Sequence, residues 1–134
     1  MSRAGERFAA AAEDLVGSPF RLGGRDPITG LDCIGLVAAS LEAIGLQIGP
    51  LPQYSLRQHD IGRFVELAKM AGLRIARKHA LCGDVLLLRP SPDQHHLAIR
   101  LADNSIVHAH AELRRVVITP SPLPWPAIRC WRLA

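Results

Sequence analysis

The chain has 134 residues, of which 49% are apolar and 21% charged, with a formal net charge of +4; that fits one domain spanning residues 1–134 with enough apolar side chains for a core. No stretch approaches the roughly 18 consecutive apolar residues of a membrane span, and the basic residues are scattered, so neither membrane insertion nor a nucleic-acid partner is expected. Three cysteines, Cys33, Cys82 and Cys130, make no disulfide framework and no CxxC zinc spacing, so free thiols and no metal or other cofactor are expected.

The opening run, MSRAGERFAAAAEDLVG, carries Glu6, Glu13 and Asp14 through its apolar part. It reads as an amphipathic helix over 3–16 stopped by Gly17, not as a secretory signal. A long loop follows, GSPFRLGGRDPITGL, whose paired glycines and two prolines fix an irregular path that a mere connection would not need. Asp32 then caps a second helix over 33–44 stopped by Gly45, and Asp60 caps a third over 61–71 stopped by Gly72. The back half is strand-like: VLLLR is a buried apolar run, HHLAIRL alternates, ADNS signals a turn, and SIVHAHA and LRRVVIT are rich in β-branched residues. The prolines of PSPLPWP make a rigid connector to a last strand, AIRCWRL. Helices followed by sequential strands predict an α+β fold with an antiparallel sheet.

Cys33 would be the first residue of the helix that Asp32 caps, where unpaired N–H groups and the positive end of the dipole favour a thiolate. Cys82, in a turn, and Cys130, in a strand, lack that setting and read as small buried residues. A thiolate nucleophile needs an imidazole within hydrogen-bond reach and a polar group to orient that ring. Four of the six histidines, His95, His96, His108 and His110, fall within sixteen positions, and His96 with His108 could fill those roles. Alternation puts His96, Ala98 and Arg100 on one face and Leu97, Ile99 and Leu101 on the other. For His96 and His108 to share a face, the numbers of paired residues must add to an even value. That requires an odd loop or a bulge around Ala102 to Ser105, whereas a plain two-residue turn at Asp103 and Asn104 would separate the rings. A zinc site on His96, His108 and His110 is the alternative chemistry.

Five motifs, GSPFRLGG (17–24), DCIG (32–35), GDVLLL (83–88), HLAIR (96–100) and VHA (107–109), stand in an order and spacing that resembles the NlpC family of bacterial cell-wall cysteine peptidases over residues 3–119. The resemblance implies a papain-like fold, Cys33 as nucleophile, His96 as base and acid, His108 as the orienting group, and no cofactor. It also implies a peptidoglycan stem peptide as substrate, cut between γ-D-glutamate and the diamino acid. Asp32, Phe20 and Ile34 would then lie in the substrate-binding region, where Phe20 replaces the family's tyrosine and Ile34 its serine after the cysteine. The Cys33 N–H would serve the oxyanion. A bare catalytic domain with DCIG resembles the peptidases of phage tails and gene-transfer particles, which implies synthesis without a signal peptide and delivery to the wall by a particle, with tail proteins as partners. An inactive binding or assembly module on the same fold is the other reading. Asp84 is expected to close a turn, Trp125 and Trp131 to anchor the core, and Arg21, Arg25 and Arg100 to be solvated or to meet stem-peptide carboxylates. His95 is expected to be a bystander, and Tyr54 and His59 carry no assigned role.

Overall fold

Alternation along residues 85–119 puts one set of β-branched and leucine side chains on each face of a sheet, and a helix apolar all round must lie against one of those faces. The computed structural model, which describes residues 3–49, 61–77 and 80–134, has this arrangement. Its helices are α1 (Arg3–Glu13), α2 (Cys33–Ala43) and α3 (Gly62–Met70), and its strands are β1 (Arg25–Asp26), β2 (Gly30–Leu31), β3 (Leu73–Ile75), β4 (Val85–Ser91), β5 (Gln94–Arg100), β6 (Ile106–His110), β7 (Arg115–Thr119) and β8 (Ala127–Leu133). Strands β3 to β8 form one antiparallel sheet in the order β3-β8-β4-β5-β6-β7, and β1 pairs with β2 in a short ribbon. Among the described residues no helix is long and apolar enough to cross a membrane.

Helix α2 is buried on nearly every side, through Cys33, Ile34, Leu36, Val37, Ala38 and Leu41. It forms one core with Phe8 and Ala12 of α1 and with the Val85, Leu87, Leu97, Ile99 and Val107 face of the sheet. The opposite face carries a smaller cluster of Leu86, Leu88, Ala98 and Ile106, covered by Leu123 and Trp125. The proline-rich segment is therefore a cover for the far face as well as a connector.

Boundaries depart from the sequence expectation where local signals are weak. Helix α1 ends at Glu13 and the chain turns through Gly17, whose φ of 95° only glycine adopts cheaply. Helix α3 runs from Gly62 to Met70, and the expected cap Asp60 lies outside the described residues, as do Tyr54 and His59. The strands β1, β2 and β3, two or three residues long, are too short to leave a period. The strand AIRCWRL does form, yet it lies inside the sheet, between β3 and β4.

Two details position the site. In the β5–β6 hairpin Ile99 pairs with Val107 and Arg100 with Ile106, the even register that puts His96 and His108 on one face. The odd loop closes through Asn104 N–H to Leu101 O (3.1 Å) and Leu101 N–H to Ser105 O (2.9 Å), with Asn104 in the left-handed region at φ 71°. Asp103 Oδ1 accepts from Ser105 N–H at 3.0 Å and from the Ser105 hydroxyl. The second detail is a close backbone approach: a Cβ on Gly35 would collide with the Gly24 carbonyl oxygen, and one on Gly24 with that of Gly30. The glycine loop thus lies directly on the first turn of α2, a packing open only to glycine. Gly35→Ala is expected to lower the unfolding free energy by about 1–3 kcal/mol, measured by urea denaturation, whereas Gly49→Ala, in open space, should stay within about 0.5 kcal/mol of wild type.

Candidate active site

The start of α2 is organised by one carboxylate. Asp32 is 0% exposed. Its Oδ1 accepts from Gly35 N–H at 2.8 Å, the N-cap bond, and from Arg25 Nη1 at 2.9 Å, while Oδ2 accepts from Gly23 N–H at 2.7 Å. Arg25 also donates to Gly24 O at 3.0 Å. Loop, ribbon and helix are thereby joined at the residue before Cys33, which is 5% exposed and lies at the wall of a cavity.

That cavity, about 270 Å³, sits where β5 begins and β6 ends, so side chains from both strands of the hairpin reach it. Cys33, His96, His108 and Phe20 all line it, as do His95 and His110. Asp32 and Ile34 do not. The Asp32 carboxylate is occupied by its three donors, and Ile34, 2% exposed, packs into the main core. His95 stacks obliquely near Phe64, ring centres 6.3 Å apart. Among the arginines, Arg25 is committed to Asp32 rather than to solvent.

The histidines form a hydrogen-bonded row. His96 Nε2 and His108 Nδ1 are 2.8 Å apart, and His108 Nε2 lies 2.7 Å from Thr119 Oγ1. His108 is 0% exposed. Trp125 packs edge-on against both rings, at 5.8 Å from His96 and 5.7 Å from His108. Burial, followed by the neighbouring rings of His108 and His110, pushes His96 down to about 3. Burial, followed by His110, pushes His108 down to about 4. The row is therefore neutral at pH 7, and His96 Nδ1 is its one nitrogen outside the two bonds.

His96, His108 and His110 are not grouped as a metal-holding set. With both His108 nitrogens engaged, that ring has no lone pair to offer, and among the described residues no three of His, Cys, Asp or Glu are grouped so as to hold a metal ion.

Thr119 and Trp125 are the residues that sequence reasoning missed. Thr119 pairs with Ile106 across β6 and β7, diagonal to His108 on the same face, a placement readable only once the register is known. Trp125, expected like Trp131 to anchor the core, packs against the smaller cluster and also lines the cavity, a second placement the sequence did not signal. Asp84 does close its turn, accepting from Leu81 N–H at 2.8 Å, and it also holds Arg132 through two bonds of 2.9 and 2.8 Å.

The depressed histidines make stability depend on pH. The unfolded chain takes up protons on these rings near pH ~6.5, the folded chain only near 4 and 3. Their contribution is complete above pH ~6.5 and is lost as the pH falls toward 3. Urea midpoints at pH 7, 5 and 4 should fall progressively, and the fall should be shallower in the double variant His96→Gln, His108→Gln.

Residues 17–124 match the NlpC/P60 family. Over 97 residues the chain is 31% identical to the murein DD-endopeptidase MepS/murein LD-carboxypeptidase of Escherichia coli K12, covering 72% of this chain and 44% of that protein. It spans less than half the length of the curated relatives it matches. The NlpC/p60 domain of the peptidoglycan hydrolase SagA superposes with a TM-score of 0.67 at 25% identity, over 96% of this chain and 98% of that one. RipD of Mycobacterium tuberculosis, described as a non-catalytic NlpC/p60 domain adapted to peptidoglycan binding, superposes at 0.60 with 16% identity over the whole of both chains. The matched span holds the glycine loop, the helix-start cysteine and both strand histidines, and with this papain-like α+β fold the chain belongs to the NlpC/P60 family.

Proposed function

We propose that this chain is a cysteine peptidase that hydrolyses an amide bond in peptidoglycan stem peptides, with Cys33 as nucleophile, His96 as base and acid, and His108 as the orienting group. The observation that carries this reading is the 2.8 Å bond from His96 Nε2 to His108 Nδ1 in a cavity that Cys33 also lines. With Nε2 engaged, His96 has Nδ1 left to take the thiol proton. The thiolate then attacks the amide carbonyl, a C–S bond forms as the C–N bond breaks, and His96 passes the proton to the leaving amine. Water deprotonated by His96 next releases the acyl group and restores the thiol. MepS and SagA, by name a murein endopeptidase and a peptidoglycan hydrolase, support the substrate class.

The finer reading is a cut between γ-D-glutamate and the diamino acid, by an enzyme that reaches the wall with a phage-tail or gene-transfer particle. Phe20 would supply an apolar wall against the peptide, while Asp32 and Ile34 would act from behind it, holding the loop and the helix start. Co-sedimentation of the chain with tail particles tests the delivery; recovery only as free protein would remove it.

A second reading, wall binding without catalysis, draws on Phe20 and Ile34 standing where relatives carry hydroxyls, and RipD is described as such a domain. Digestion of purified peptidoglycan with mass analysis of the fragments separates the two. Cys33→Ala and His96→Ala should each lose activity by at least about a thousandfold, and His108→Ala by about ten- to a hundredfold. If wild type releases no Cys33-dependent fragment but still pellets with peptidoglycan, the binding reading stands.

A further inference from the structure

The row of hydrogen bonds does not stop at His108. We propose that Thr119 is a positioning residue whose hydroxyl fixes the His108 tautomer and thereby keeps His96 able to act as a base; this rests on the Cys33 and His96 roles proposed above.

Proton placement along the row decides which nitrogen can act. To take the thiol proton at Nδ1, His96 must carry hydrogen on Nε2, both before the transfer and after it. Its Nε2–H therefore donates to His108 Nδ1, 2.8 Å away, which must present a lone pair. A neutral His108 then carries its own proton on Nε2, and the atom facing that nitrogen is Thr119 Oγ1 at 2.7 Å. His108 has no exposed surface, so with Thr119 in place the hydroxyl and not solvent meets its Nε2, and Trp125 covers the row from the side.

Position and residue type both suit the task. Thr119 opposes Ile106 in the β6–β7 register, which sets it diagonal to His108 on one face. Branching at Cβ restricts χ1 and so aims the hydroxyl, and the residue is half-buried, so its own hydrogen can turn toward solvent while its lone pair faces the ring. Without the hydroxyl, His108 Nε2–H would be buried with no acceptor, a state that the other tautomer avoids. In that tautomer His108 Nδ1–H donates to His96 Nε2, and the neutral His96 proton moves to Nδ1, the nitrogen that has to receive the thiol proton.

Thr119→Val keeps the shape and removes the hydroxyl, Thr119→Ser keeps the hydroxyl, and Thr119→Ala repeats the deletion should valine disturb folding. Two measurements are made on each: kcat and KM on a synthetic stem peptide, and the ¹⁵N ring spectrum of His108. Expected for Thr119→Val are a fall in kcat of about ten- to a hundredfold with KM unchanged, an unchanged thermal midpoint, and a shift of His108 from the Nε2–H to the Nδ1–H form, with Thr119→Ser keeping kcat within about threefold of wild type. A His108 that stays Nε2–H in both deletions, or a kcat within about twofold of wild type, overturns the proposal. If wild type cuts no stem peptide, the peptidase reading fails while the ring spectra still decide the tautomer.

Discussion

The carboxylate of Asp32 is the point on which the site depends. Buried and held by two backbone N–H groups and a guanidinium, it satisfies a donor of the first turn of α2 and pins the glycine loop to the same turn. A buried carboxylate left without such partners would be costly, so loop, ribbon and helix start are placed together or not at all. The glycine contacts then follow: with the loop drawn against the helix, Gly24 and Gly35 meet backbone to backbone. Cys33 inherits its position from this arrangement, with little freedom of its own.

The other half of the site is set by strand register. A hairpin loop one residue shorter or longer would carry His108 to the opposite face, away from His96. Asn104 in the left-handed region and Asp103 bonded to Ser105 hold the odd length. Because the cavity opens at the end of the strands, residues of both faces reach it, and the helix on one side and the histidine row on the other become neighbours.

Much of this was legible in the sequence, for reasons of scale. Long periodic segments such as HHLAIRL and LRRVVIT announced their strands, and Asp32 before an apolar helix announced its cap. The shared face of His96 and His108 could be posed as a condition on the loop, but only the backbone of Asn104 resolves it. What was not legible depends on pairing between distant segments: Thr119 beside His108, Trp125 over both rings, Arg132 on Asp84, and β8 between β3 and β4. No local period encodes such partners, since each is chosen by the tertiary arrangement after the strands exist. Asp32 was expected near the substrate for its motif, yet its surroundings show a carboxylate already in use.

The interior place of β8 also has a consequence for how the molecule is made. Residues 127–133 bridge β3 and β4, so on the ribosome those two strands wait, each with an unpaired edge, until the last of the sheet emerges. Contacts of such long sequence separation form late. Trp125, just ahead of β8, lies over both histidine rings, so the cover of the row comes from a part of the chain made after Cys33, His96 and His108. The centre is therefore not complete until the chain has been made at least as far as its cover.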